Sequence, residues 1–173
     1  GNDSGGRIGL RVKNVVAVLE GEGPLANETL VIGAHYDHLG LGARGSRSPG
    51  NKQIHNGADD NGSGTSVLLE VARRLTSRKG KPRRRIVFIA FTGEERGLLG
   101  SEHYCENPLF PLEKTVAMLN MDMVGRLRDD KLAIHGTGTA KLLDEMVSEL
   151  SEKKFGFKVT RHPSGFGPSD QAS

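Results

Sequence analysis

A chain of 173 residues, 35% hydrophobic and 26% charged, has the size of one domain and the balance of a globular protein. Wholesale disorder and a two-domain architecture are both disfavoured. Its single cysteine, Cys105, excludes an internal disulfide scaffold, and no apolar run reaches the roughly 18–20 residues of a membrane span, so no membrane partner is expected. The net charge of +3 reflects 24 basic and 21 acidic residues, with much of the excess in Arg78-Lys79-Gly80-Lys81-Pro82-Arg83-Arg84-Arg85. That stretch contains Gly and Pro and no interleaved aromatic residue. It reads as a solvated connector, and no nucleic-acid partner is expected.

The opening Gly1-Asn2-Asp3-Ser4-Gly5-Gly6 has the pattern of neither a signal nor a transit peptide. An edge strand over Ile8 to Val12 precedes two apolar, β-branched runs, Val15–Leu19 and Thr29–Ala34, both read as buried strands. From Thr65, the residues Leu68, Val71, Ala72 and Leu75 repeat at i, i+3, i+4 and i+7, which predicts an amphipathic helix. Arg85–Phe91 is the most strand-like run, and Val116–Met121 and Leu132–Ile134 follow as strands. Gly136–Lys141 lacks a Walker pattern and predicts a strand-to-helix turn with a Thr cap. A second helix over Leu142–Leu150 is expected to end in the polar Ser151–Lys154, with a last strand around Phe157–Val159. Alternating strands and helices, with strands apolar on both faces, predict one α/β domain over 1–173, built on a mostly parallel sheet with helices on both faces.

In such a sheet, ligands bind beyond the carboxyl ends of the strands. Four clusters fall there or at a helix entry: His35-Tyr36-Asp37-His38, Gly57–Gly64, Thr92-Gly93-Glu94-Glu95, and Asn120-Met121-Asp122. Each alone reads as a cap or a solvated loop. Together they would gather carboxylates that repel one another unless divalent cations lay among them. His, Asp and Glu without paired cysteines suit catalytic zinc, two ions bridged by a carboxylate fit hydrolytic sites, and HExxH is absent.

His35-Tyr36-Asp37, the Asp59-Asp60-Asn61-Gly62-Ser63-Gly64 string, Thr92–Ser101 and Asn120-Met121-Asp122-Met123 occur in the order of peptidase family M28, the co-catalytic zinc aminopeptidases, which the chain resembles from about Asn14 to Asp170. The resemblance implies an α/β sandwich around a mixed sheet and two zinc ions per complete site. It implies His35 and Asp122 as ligands of one zinc, Glu95 as a ligand of the second, and Asp60 as the bridge. Asp37 would orient His35, Asp59 would stand behind Asp60, and Glu94 would be the general base. The implied reaction is hydrolysis at the amino end of a peptide substrate. A carboxypeptidase or dipeptidase of the same family, or a non-catalytic module on the fold, is the alternative. Because the family is commonly exported, a secreted or periplasmic setting is implied.

The family pattern also carries a later histidine ligand, after a further helix and strand. Pro168–Ser173 resembles the segment before it, with Gln171 in place of a histidine. The chain is therefore expected to be C-terminally truncated and its sheet incomplete at that end. His38 and His103 read as structural histidines and His55 and His162 as loop residues, so the second zinc would keep only Asp60 and Glu95. One zinc or none is expected in this chain.

Overall fold

The computed structural model describes residues 11–41, 46 and 53–173. Residues 8–10 of the expected edge strand lie outside them, and Arg11 and Val12 are not in a strand. Four strands form the main sheet: β1 (Val15–Leu19), β2 (Thr29–His35), β3 (Arg85–Phe91) and β4 (Thr115–Asn120), in the order β1-β3-β2-β4. β2 runs parallel to both β3 and β4, while β1 is antiparallel to β3. The sheet is mixed and mostly parallel.

Alternation along β2 and β3 explains why helices cover both faces. Val31, Val87, Ile89 and Phe91 point to one face and meet Tyr104 of helix α2 (Leu99–Glu106). Ile32, Ala34, Ile86 and Phe88 point to the other and meet Leu68 of helix α1 (Gly62–Thr76), with Val71, Ala72 and Leu75 of its apolar stripe packed alongside. Each fully buried Val, Ile or Phe contributes roughly 1.5–3 kcal/mol, so these two layers fix the central strands and the rim they share.

β1 departs from the sequence expectation. Val15, Val16 and Val18 are 62%, 38% and 38% exposed, because an apolar run at a sheet edge cannot be told from a central one by composition. Helix α2 was not anticipated: its buried residues are Gly100, Ser101 and Tyr104, which make no apolar stripe.

A second, two-stranded parallel sheet joins β5 (Lys131–His135) to β6 (Lys158–His162). Between them lie α3 (Lys141–Met146) and a π-helical continuation, Val147–Lys154, so the helical path ends with the polar Ser151–Lys154 stretch. Arg161 of β6 holds that continuation, donating to Asp144 (2.9 Å), Ser148 (2.8 Å) and Glu152 (2.7 Å). Thr139 does not cap α3; its hydroxyl donates to the Gly136 carbonyl at 2.6 Å and closes the preceding turn. The basic stretch leads into β3, where Arg84 pairs with Glu28 and Arg85 with Glu20, the Arg85 guanidinium lying 3.8 Å above the Phe110 ring. Among the described residues, no helix is long and apolar enough to cross a membrane.

Candidate metal centre

Parallel β2, β3 and β4 end on one rim, and each is followed by acidic or imidazole side chains. His35 is the last residue of β2, Glu94 and Glu95 open a 3-10 turn (Glu94–Arg96) after β3, and Asp122 lies just past β4. Asp60 arrives from the entry to α1.

Asn61 ties that entry to β4. Its Oδ1 accepts from Gly64 N at 3.0 Å, capping α1, and from Met123 N at 3.3 Å, while its Nδ2 donates to the Met121 carbonyl at 2.9 Å. A Cβ on Gly64 would fall 2.3 Å from both Asn61 Oδ1 and Met121 O, so the close approach of α1 to β4 demands glycine. Gly93, at φ +71°, turns the chain from β3 so that Glu94 and Glu95 face the rim.

His35 is completely buried. Its Nδ1 faces the Asp37 main-chain carbonyl at 3.1 Å, which leaves Nε2 directed at the rim. There it lies 3.3 Å from Asp60 Oδ1, 3.6 Å from Asp122 Oδ1 and 3.9 Å from Glu94 Oε2. The contact that orients His35 is thus the carbonyl of Asp37 and not its carboxylate, which stands 3.8 Å away. That carboxylate instead accepts from the backbone N–H groups of Glu94 (3.2 Å) and Glu95 (3.4 Å), fixing the turn that carries both.

Among the described residues, two groups of potential ligand atoms emerge. His35, Asp60 and Asp122 bring one atom each to within 4.8 Å of one another, and so do His38, Asp60 and Glu95. Asp60 belongs to both. His35 Nε2 and Asp122 Oδ1 are shielded from solvent and make no hydrogen bond, while His38 Nδ1 and Glu95 Oε1, equally shielded, face each other at 2.7 Å. Tetrahedral zinc with bonds near 2.0–2.1 Å would separate its ligand atoms by roughly 3.3 Å, close to the spacings around His35. Nitrogen and carboxylate donors with orphaned buried atoms fit divalent zinc.

The site is electrostatically tense. Burial alone would lower the His35 pKa, but Asp122 and the charge of Glu94 outweigh it and raise it to about 9. Burial alone would raise the Asp122 carboxyl, yet His35 and the Ser169 hydroxyl hold it below the usual carboxylate range. Burial, helped by Asp122, Asp170 and Glu95, pushes Glu94 up to about 7 despite the pull of His35. A carboxyl poised near neutrality has the range needed to take and return a proton at physiological pH.

Asp59 is 7% exposed and stands behind the rim; its Oδ1 accepts from Gly125 N at 2.8 Å and its Oδ2 lies 3.2 Å from Arg126 Nε. Sequence reasoning missed three participants. His38 enters the second ligand group. Ser169 accepts from Asn120 Nδ2 at 2.9 Å and supports Asp122. Asp170, 1% exposed, accepts from Ser101 at 2.7 Å and joins the C-terminal turn to α2. The order of Ser169 and Asp170 after Pro168 was visible, but their contacts cross the fold. The stacked rings of His135 and His162, 4.3 Å apart, lie at the ends of β5 and β6 and belong to neither ligand group. From Asp122, a groove of about 570 Å³ extends between β4 and β5, lined mainly by apolar side chains including Met118, Leu119, Leu127 and Ile134.

The chain is 30% identical over 167 residues to the "Probable leucine aminopeptidase" of Arthroderma otae, covering 92% of this chain and 42% of that protein. It is also similar to the solved structure of a zinc aminopeptidase from Bacillus subtilis, with TM-score 0.68 and 32% identity over 91% of this chain and 35% of the other. A glutaminyl cyclase structure from Porphyromonas gingivalis shares the fold, at TM-score 0.70 and 24% identity over 92% of this chain and 58% of the other. The chain spans 35–58% of the length of these three proteins. The family model described as Peptidase family M28 matches residues 14–173, and the chain belongs to that family.

Proposed function

We propose that residues 1–173 form one zinc-peptidase domain and carry the catalytic core of a metal-dependent aminopeptidase acting on peptides. The observation that carries this reading is the convergence of His35 Nε2, Asp60 and Asp122, with unpartnered buried atoms, beside a carboxyl group raised to about 7. His35, Asp60 and Asp122 would hold one zinc, and Asp60 would reach on to a second held with Glu95. Zinc, when bound there, supplies Lewis acidity and makes water a stronger acid.

The chain's own residues supply the remaining chemistry. Glu94 is the general base: it takes a proton from the attacking water and returns it to the leaving amine. The Asp37 carboxylate holds the backbone of Glu94 and Glu95, so the base and its ligand neighbour keep separate positions. Asp59 steadies the loop after Asp122 through Gly125 and Arg126. The apolar groove beside Asp122 suits an apolar side chain at the substrate's amino end. Family membership extends the reading to an enzyme working outside the cytoplasm, in a secreted or periplasmic setting.

The test is Glu94→Gln in the zinc-loaded chain, followed with leucine amide and by metal analysis. Bound zinc should be unchanged while kcat falls about 100-fold or more, the scale of a lost general base. Loss of zinc in parallel with activity would make Glu94 a ligand and overturn its role.

A further inference from the structure

We propose that Arg78, Lys79, Lys81 and Arg83, in the loop between α1 and β3, form a docking surface for an anionic phospholipid membrane and hold the protein there with its metal rim turned outward. The proposal does not depend on what the rim binds. It replaces the expectations of a solvated connector and of no membrane partner.

Charge placement carries it. The basic residues on either side of the loop are neutralised: Arg73 and Arg74 both bind Glu70, Arg84 binds Glu28 and Arg85 binds Glu20. Among the described residues, the four cations between them make no ion pair, and all four are exposed. Glu22, whose backbone N–H donates to the Pro82 carbonyl at 2.8 Å and anchors the loop, is exposed and offsets at most one of these charges. The dipole of α1 favours cations only in its last turn, which holds Arg73 and Arg74; Lys79, Lys81 and Arg83 lie past it. Neighbours in this run are at most two residues apart, well within the Debye length of about 10 Å at 0.1 M salt. Their mutual repulsion is relieved by an anionic surface outside the protein.

Shape and composition choose the occupant. The loop turns at Gly80, at φ +80°, where a Cβ would meet nothing within 4 Å, so the tip is open. Residues 77–84 contain no aromatic side chain. A nucleic-acid strand is held by a charged groove with aromatic rings for its bases, whereas an open cationic tip suits a broad layer of anionic headgroups. Each Lys or Arg brought near such a layer strengthens partitioning about fivefold. The loop enters β3 at its amino end, while the metal rim lies beyond its carboxyl end. The seven residues of β3 set the two about 20 Å apart. A protein docked by this loop keeps its rim open to soluble substrate.

The experiment is co-sedimentation of the 173-residue chain with vesicles of phosphatidylcholine, either alone or equimolar with phosphatidylglycerol. The chain should sediment with the mixed vesicles at about 0.1 M salt and be released at about 1 M, where the Debye length shrinks to roughly 3 Å. It should not sediment with phosphatidylcholine alone. Lys79→Gln combined with Lys81→Gln should weaken partitioning about 25-fold. Lys141→Gln combined with Lys158→Gln removes the same charge elsewhere and should leave partitioning nearly unchanged. Both variants should keep the circular dichroism of the unaltered chain. Equal losses from the two pairs would reduce the effect to net charge and overturn the proposal, as would no sedimentation with the mixed vesicles, equal binding to the neutral ones, or binding that survives 1 M salt. Tighter binding to a single-stranded oligonucleotide than to the mixed vesicles would make nucleic acid the partner. Release by inorganic phosphate beyond that by chloride at equal ionic strength would make the loop a site for single anions. Either result would also overturn the proposal.

Discussion

Replacing Asn61 with alanine should unfasten the metal rim from the helix that supports it. Asn61 is 2% exposed, and its amide satisfies Gly64 N, Met123 N and the Met121 carbonyl at 3.0, 3.3 and 2.9 Å. Losing the cap on α1 costs about 1 kcal/mol. Each of the other two backbone groups, left without a partner, costs roughly 1–3 kcal/mol. Partial repair by water lowers the sum, so a destabilisation of about 3–5 kcal/mol is expected, a large share of the roughly 5–15 kcal/mol that holds a typical domain together. Asn61→Asp keeps an acceptor for Gly64 and Met123 but sets a carboxylate oxygen against the Met121 carbonyl. It should lose only about 1–3 kcal/mol. Urea unfolding of both metal-free variants gives the comparison, and zinc affinity at the His35 site should fall alongside because Asp60 and Asp122 are anchored through the same amide. A loss below about 1 kcal/mol for Asn61→Ala would refute the reasoning.

Two further predictions concern close packing and protons. Gly64→Ala places a methyl group 2.3 Å from Asn61 Oδ1 and Met121 O, so α1 must move away from β4; thermal unfolding should show a loss of about 1–3 kcal/mol or more, and an unchanged melting temperature would contradict the packing. His35, with its pKa raised to about 9 in the metal-free chain, is an imidazolium at pH 7, whereas a metal requires the neutral ring. Zinc binding at pH 7 should therefore release a proton from His35, and affinity should climb as pH rises toward about 9. Calorimetry in buffers of different ionisation enthalpy measures this, and binding without proton release would contradict it.

The parts of this fold that were legible in the sequence are those whose burial leaves a one-dimensional pattern. β2 and β3 are sealed on both faces and read as continuous β-branched runs, and the stripe of α1 follows from Leu68, Val71, Ala72 and Leu75 meeting one face of the sheet. β1 has the same composition but lies at an edge, and only pairing partners distinguish the two cases. α2 buries two small residues and one tyrosine, which create no period. The site divides the same way. His35, Asp60, Glu94, Glu95 and Asp122 stand at strand ends or a helix entry, which sequence order reveals. His38 faces Glu95 across 57 residues of chain, and Ser169 meets Asn120 across 49. Neither contact has a local signal. The carboxylate of Asp37 grips the turn after β3 for a similar reason: the parallel pairing of β2 with β3 brings the two exits together.

The most direct test of the two-site rim is the zinc stoichiometry and affinity of Asp60→Asn. Asp60 is the one residue common to both ligand groups, and a neutral amide is a much poorer ligand for zinc than a carboxylate. Calorimetric titration, with metal content measured after dialysis, should show both equivalents weakened together, in contrast to Asp122→Asn, which should weaken only the site of His35. Two equivalents bound by Asp60→Asn at undiminished affinity would contradict the shared carboxylate.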